Sequence, residues 1–309
     1  MASAVKVFCT GYPSLDHLAR VRSMAGMDET HIIEQPWGVP TFGGCAANVA
    51  VGLARLGVPT GIGMSLGDDP EGKAFLEHLQ RNGVDTAGIV IDHGRTARSY
   101  FFLDHDGRYY LFFDPGTSRD WCPRAWDFQG AAWALLTVVS QPAALSFAEA
   151  AARAGVRLVW QLKKDREAFP PDVVRTIFPL CSIAIMNRAE SRYVQECLGL
   201  QSEAEMLSAG PTHVVVTHGK DGAVIWGPDG PIHVPAVPAR VVDATGAGDA
   251  FTAGFLWGLA RDWDVKRAGR AGATVASFVV ETPGAQEGLP REAEVRRRYR
   301  QTFGEELPA

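Results

Sequence analysis

The chain has little that would tie it to nucleic acid, a membrane or an oxidising compartment. Its 30 lysines and arginines are outnumbered by 35 aspartates and glutamates, giving a formal net charge of −5. A balance of that sign leaves no electrostatic footprint for a phosphate backbone or anionic lipid. The one basic cluster, Arg296, Arg297, Arg298 and Arg300, falls in a charged helical pattern and reads as a solvated face. No run of 18 apolar residues occurs, and no basic stretch leads into an apolar one near Met1, so neither a membrane span nor a secretory signal is expected. The five cysteines, Cys9, Cys45, Cys122, Cys181 and Cys197, form no CxxC pair and no metal-ligand spacing. That scatter argues against a disulfide framework and predicts a cytoplasmic protein. Internal repeats and low-complexity linkers are missing as well.

What is present is the composition of a globular protein, 46% hydrophobic and 21% charged over 309 residues, with ample material for a core. Val5–Thr10 reads as a buried strand, Asn48–Leu56 as a helix stopped by Gly57, Thr60–Leu66 as a strand, and Glu71 to about Asn82 as a helix. Strands near 133–139, 156–161, 183–186 and 213–217 then alternate with helical segments near 143–154, 172–179 and 188–198. This rhythm predicts an α/β fold: a doubly wound, mostly parallel sheet with helices on both faces. The last third is helical, over Ala247–Arg261, Val265–Val280 and Arg291–Thr302. Leu15–Val21 with His31–Glu34, and Arg98–Leu103 with Arg108–Phe113, break the rhythm with period-2 strands. The second pair reads as a hairpin around Asp104-His105-Asp106-Gly107, and together the two pairs predict a small β-sheet lid near 15–34 and 98–113.

Four polar segments interrupt this frame. In Asp243-Ala244-Thr245-Gly246-Ala247-Gly248-Asp249 an apolar run stops at a glycine turn and a helix begins. Free N–H groups and the positive helix end make an anion site there, and Asp249 is placed to take a proton from a hydroxyl. The same turn also reads as a plain helix cap. Gly43-Gly44-Cys45-Ala46-Ala47-Asn48 opens a second helix, as a small polar ligand site or as a hinge and cap. Asp16, just past the first strand, offers a carboxylate to two sugar hydroxyls or serves as a turn residue. Asn187 and Glu190 share one face of a helical turn, fit for a water-ligated Mg²⁺ or for helix capping. Thr217-His218-Gly219-Lys220-Asp221-Gly222 fits contact with nucleotide phosphates or a hairpin. It lacks the GKS/GKT context of a Walker A loop, and no GxGxxG follows the first strand, which disfavours a nicotinamide-dependent reductase.

In this order the four segments resemble the ribokinase-like, or PfkB, carbohydrate kinases over nearly the full length. Gly43–Gly57 is similar to the family's N-terminal signature and Asp243–Gly254 to its C-terminal one. Asn187–Glu190 looks like its Asn-x-x-Glu motif, and Thr217–Gly222 like its Thr-x-Gly-x-x-Gly segment. The resemblance implies one kinase domain over 1–309 that moves the γ-phosphate of ATP to a primary hydroxyl. Asp249 would be the base and Gly246, Ala247 and Gly248 the anion hole. Asp16, Gly43, Gly44 and Asn48 would hold the sugar, and Asn187, Thr217, Gly219 and Gly222 would approach ATP. Glu190 would organise Mg²⁺ through water. It also implies a monovalent cation such as K⁺ cradled by 243–245 and 280–284, and a homodimer through the lid.

Two features bear on the acceptor. Ribokinases proper carry a lysine after the glycine pair, where this chain has Cys45-Ala46, and their ribose-contacting glutamate has no counterpart in Thr137–Gln141. The tail Ala276–Glu281 with Gly284, Gln286 and Leu289-Pro290 is similar to that of prokaryotic nucleoside kinases. The lid aromatics Tyr100, Phe101, Phe102, Tyr109, Tyr110, Phe112 and Phe113 suit the stacking of a base, or serve as strand formers that fill the lid's underside. The resemblance therefore points to a nucleoside, with a free sugar such as ribose or fructose as the alternative and a non-catalytic sugar or nucleoside sensor as the rival. Trp160–Asp165 matches neither subgroup.

Overall fold

The computed structural model describes residues 4–24, 26, 28–105 and 109–308. In chain order its strands are β1 (Val7–Thr10), β2 (Ser14–Val21), β3 (Ile33–Gln35), β4 (Thr41–Gly43), β5 (Thr60–Gly67), β6 (Asp85–Asp92) and β7 (Arg98–Leu103), followed by β8 (Tyr109–Asp114), β9 (Trp133–Leu136), β10 (Arg157–Gln161), β11 (Ile183–Asn187), β12 (His213–Thr217), β13 (Ala223–Gly227) and β14 (Gly230–Val234). The helices are α1 (Cys45–Arg55), α2 (Pro70–Arg81), α3 (Gln141–Ala154), α4 (Pro171–Ile177), α5 (Arg188–Leu198), α6 (Ala247–Leu259), α7 (Val265–Val279) and α8 (Glu292–Phe303).

Nine strands form the main sheet in the order β14-β13-β12-β11-β10-β9-β1-β5-β6. From β12 to β6 every neighbouring pair is parallel, and β13 and β14 add an antiparallel edge. Helices cover both faces, which is why β1, β5 and β9 are buried along their whole length and read as apolar runs. Alternate side chains go to opposite cores. Val7, Cys9 and Val159 meet Val49, Leu53, Phe255 and Trp257 on one side. Phe8, Leu158 and Trp160 meet Phe147, Phe169 and Tyr193 on the other. The expected doubly wound sheet is present.

The second sheet has the order β3-β2-β7-β8, with β4 also paired to β2. Its strands are those expected for a lid, with β4 added. The turn centred on Asp106 and Gly107, and Arg108, lie outside the described residues. Register assigns its two faces. Asp16 pairs with Ser99 and Leu18 with Phe101 across β2 and β7, while Ser99 pairs with Phe113 and Phe101 with Leu111 across β7 and β8. His17, Tyr100 and Phe102 point the other way. There His17 stacks on Tyr100 at 5.1 Å, and the Trp37 ring lies edge-on to Tyr100 and Phe102 at 5.9 and 5.8 Å. Of the aromatics the sequence offers for stacking, Tyr100 and Phe102 thus lie on the face away from Asp16. A β-strand sends successive side chains to opposite faces, so Phe101 and Phe113 share the face of Asp16 and those two do not.

Candidate active site

The order of the main sheet reverses at β1, with β5 and β6 on one side and β9 to β12 on the other. A crevice opens at the carboxyl ends of the strands at such a reversal, and ligands of open α/β sheets lie there. Beyond Thr10 the chain runs straight into β2 of the small sheet, and α1 and α6 pack together beside the crevice.

Helix α6 starts after Gly246 with no side chain capping it: the Ala247 N–H donates to Ala244 O at 3.2 Å, while no acceptor among the described residues takes those of Gly246 and Gly248, which stay open to an anion. A Cβ added at Gly248 would meet nothing within 4 Å, so this glycine faces open space. One residue on, Asp249 is only 8% exposed. Its Oδ2 accepts from Asn48 Nδ2 at 2.7 Å and its Oδ1 accepts from Gln161 Nε2, with the Cys45 thiol close enough to lower its pKa. Asn48 Oδ1 in turn accepts from Gln286 Nε2 at 2.8 Å, and Gln286 Oε1 meets His78 Nε2 at 2.7 Å. Burial raises the Asp249 pKa above the ordinary carboxylate value, against the pull of Asn48, Lys163, Gln161 and Cys45. A desolvated carboxylate steered on both oxygens suits a general base.

Asp16 comes from the small sheet. Its carboxylate accepts from Ser14 Oγ, which also meets Ser99 Oγ at 2.8 Å. Burial pushes its pKa up to about 6, opposed by Ser14 and Lys163. Gly43 lies directly under it: a Cβ there would stand 2.1 Å from Asp16 Oδ2. Gly44 follows as the residue before α1, which carries Asn48 towards Asp249. The structure thus brings Asp16, Gly43, Gly44, Asn48 and Asp249 to one place.

The second group gathers at the ends of β11 and β12, where Asn187 and Thr217 are register partners. Asn187 Oδ1 accepts from the N–H groups of Ala189 and Glu190 at 2.8 and 3.0 Å, and Glu190 Oε2 accepts from Asn187 N–H at 2.7 Å. This is a capping box at the start of α5. Glu190 also faces the Lys164 N–H, and its pKa is raised by burial and by Asp249, which puts the two carboxylates within electrostatic reach. Gly219 and Gly222 sit in a turn closed by His218 N–H on Gly222 O, with Arg188 Nε donating to His218 Nδ1. Among the described residues no hydrogen bond joins that turn to the Asp249 cluster.

Gln161, the Cys45 thiol and Gln286 belong to the Asp249 cluster, and sequence reasoning assigned none of them to it. The available signal for Gln161 was position: it is the polar residue that ends the apolar strand β10 at the carboxyl edge of the sheet.

Comparison with known proteins agrees with this geometry. Residues 6–292 match the pfkB family carbohydrate kinases. The nucleoside kinase of Methanothermobacter thermautotrophicus is 30% identical over 273 residues, 86% of this chain and 87% of that protein. The 5-dehydro-2-deoxygluconokinase of Geobacillus kaustophilus is 27% identical, over 82% and 83%. Burkholderia thailandensis nucleoside kinase in complex with inosine superposes with a TM-score of 0.86 at 25% identity, over 97% of this chain and 98% of that one. A family match across nearly the whole length, on a fold that carries its signature segments to one crevice, settles the lineage: this chain belongs to the pfkB family of carbohydrate kinases.

Proposed function

We propose that the protein is an ATP-dependent nucleoside kinase that phosphorylates the primary hydroxyl of the ribose. The observation that carries this reading is the pair of carboxylates, buried Asp249 in the first turn of α6 and half-buried Asp16 on the small sheet, that face a single crevice. Asp16 accepts from two hydroxyls of the ribose, with Gly43, Gly44 and Asn48 closing around the ring. Asp249 takes the proton of the attacking hydroxyl. The N–H groups of Gly246 and Gly248, joined by that of Ala247 once it leaves Ala244 O, receive the charge that develops on the phosphoryl oxygens. Asn187, Thr217, Gly219 and Gly222 line the path of ATP.

Glu190 fits an outer-shell role towards Mg²⁺: one of its oxygens is engaged in the helix cap, and its carboxylate lies within electrostatic reach of Asp249. No group of three metal-ligating side chains comes together among the described residues, and an ion held by phosphates and water requires none. When bound, Mg²⁺ neutralises charge on the β- and γ-phosphates. Asp243 accepts from the N–H groups of Thr245 and Gly284, at 2.9 and 3.0 Å, and so ties together the two segments that would hold a monovalent cation such as K⁺. The five-stranded sheet serves as the lid of one kinase domain. Its outward aromatic face, with Tyr110 45%, Phe112 60% and Trp37 41% exposed, supports a homodimer through the lid. Five free cysteines and a set of small soluble substrates support a cytoplasmic location.

The second reading, a free-sugar kinase, is favoured by the similarity to a 5-dehydro-2-deoxygluconokinase. A panel of ribonucleosides set against ribose, fructose and sugar acids, read as ADP release, tests the choice. The nucleoside reading expects a nucleoside to give the highest kcat/KM. A tenfold or greater advantage for any free sugar, about 1.4 kcal/mol of transition-state preference, would reverse it.

A further inference from the structure

The segment after β10 passes between the two carboxylates on which the proposed reaction depends. Gln161 donates to Asp249, and three residues on the Lys164 N–H faces Glu190. Between them Leu162 is buried, with its N–H fixed on Ile185 O at 2.9 Å, while Lys163 is open to solvent. Lys163 therefore leaves the chain between the base and the metal-organising residue. Its ammonium bears on Asp16, Cys45, Glu190 and Asp249 alike, and the lid residue Tyr109 bears on it in turn. Cys45 supplies no positive charge, since a thiol is only neutral or anionic, and burial pushes it up to about 12 and keeps it neutral. Three carboxylates and an incoming triphosphate would otherwise concentrate negative charge in one crevice.

We propose that Lys163 is a catalytic residue that binds the phosphoryl group in transit. In this step, which rests on the kinase site described above, the acceptor oxygen forms its bond to the γ-phosphorus. The bond from that phosphorus to the β–γ bridging oxygen breaks, and its electron pair leaves with ADP. The hydroxyl proton goes to Asp249, and the Lys163 ammonium donates to the equatorial phosphoryl oxygens without giving up its proton. With the Cys45 thiol neutral in the working pH range, Asp249 and Glu190 hold that ammonium above the ordinary lysine value, so it stays charged throughout.

The experiment uses the full chain and the variants Lys163→Met and Lys163→Arg. Calorimetry measures binding of Mg·ADP alone and of Mg·ADP with aluminium fluoride, a mimic of the transferred group, in the presence of the acceptor that the panel turns over fastest. The expected result for Lys163→Met is Mg·ADP affinity within about twofold of the wild type and a loss of ~10²-fold in the tightening by fluoride, the scale of one transition-state donor. A matching fall in kcat should accompany it, partly restored in Lys163→Arg. Full tightening in Lys163→Met overturns the proposal. So does a loss confined to acceptor KM with kcat intact, which would assign Lys163 to an anionic group of the acceptor. If the wild-type chain shows no tightening by fluoride, the site reading itself falls and the proposal falls with it.

Discussion

Gly43→Ala separates the fold from the site with one methyl group. The Gly43 backbone is not among those with a left-handed φ, so alanine suits it, yet its Cβ would stand 2.1 Å from Asp16 Oδ2 and 2.7 Å from Asp16 Cγ. The obstacle is the end of a side chain rather than backbone, so the chain can yield at a cost of ~1–3 kcal/mol, the usual range for overpacking. What must move is the carboxylate, away from Ser14 and from the position where it meets the acceptor. Each charge-assisted hydrogen bond lost there costs ~1.5–3 kcal/mol, or roughly ten- to a hundredfold in kcat/KM. Steady-state ADP release should show that fall when the acceptor is varied, with the KM for ATP within about twofold of wild type. Adding Gly43→Ala to Asp16→Asn should cost little more, because both act through one carboxylate. An acceptor kcat/KM unchanged by Gly43→Ala would refute the placement of Asp16 against the substrate.

Asp249→Asn should lower turnover by at least ~10²-fold, the scale of a general base, while the thermal midpoint changes little: a donor then faces Asn48 or Gln161, but a buried charge is removed. Activity within a few-fold of wild type would remove Asp249 from proton transfer. Glu190→Gln keeps an oxygen for the Asn187 N–H and so keeps the helix cap, but it loses the charge. The Mg²⁺ concentration for half-maximal rate should therefore rise at constant stability, and an unchanged Mg²⁺ dependence returns Glu190 to capping alone. Asp16, raised from 3.8 to about 6, favours the folded state below the lower value and loses that contribution as the pH rises through the upper one. Acidification through 6 should thus depress acceptor kcat/KM without loss of stability from this group, and a break near pH 6 that persists unaltered in Asp16→Asn would sink the assignment.

Legibility in the sequence followed burial. The inner strands β9 to β12 are enclosed on both faces, so their apolar runs announced them. The edge strands β6 and β14, and β13 beside the latter, did not stand out. β6 mixes half-buried and exposed residues around Gly88, and the β13–β14 edge alternates with short polar links. Asn187 and Glu190 were legible as a pair because three-residue spacing on a helix is a local fact. Gln161 was not, because its contact with Asp249 spans 88 residues and depends on β10 ending beside the start of α6. The lid aromatics show the opposite error. Their abundance was plain, but abundance does not say which face a ring occupies, and only the register with Asp16 does.

The two carboxylates of the crevice belong to different elements, and each stands at a cost the other increases: Asp249 is among the groups that raise Asp16. Asn48 cannot turn its amide to serve both, since its Oδ1 is held by Gln286 and its Nδ2 by Asp249. A polyol placed between them offers one more hydroxyl donor to each carboxylate from one neutral molecule. Hydrogen bonds to the ionised form lower a carboxylate pKa, so the acceptor stabilises the ionised state that both residues require. Because Asp16 rides on the small sheet and Asp249 on α6, that gain would be complete only with both held against the substrate at once. In the proposed site the acceptor's own hydroxyls would thus couple the position of the small sheet to the charge state of Asp249, and a ligand offering one hydroxyl instead of two would bind with that sheet less firmly held.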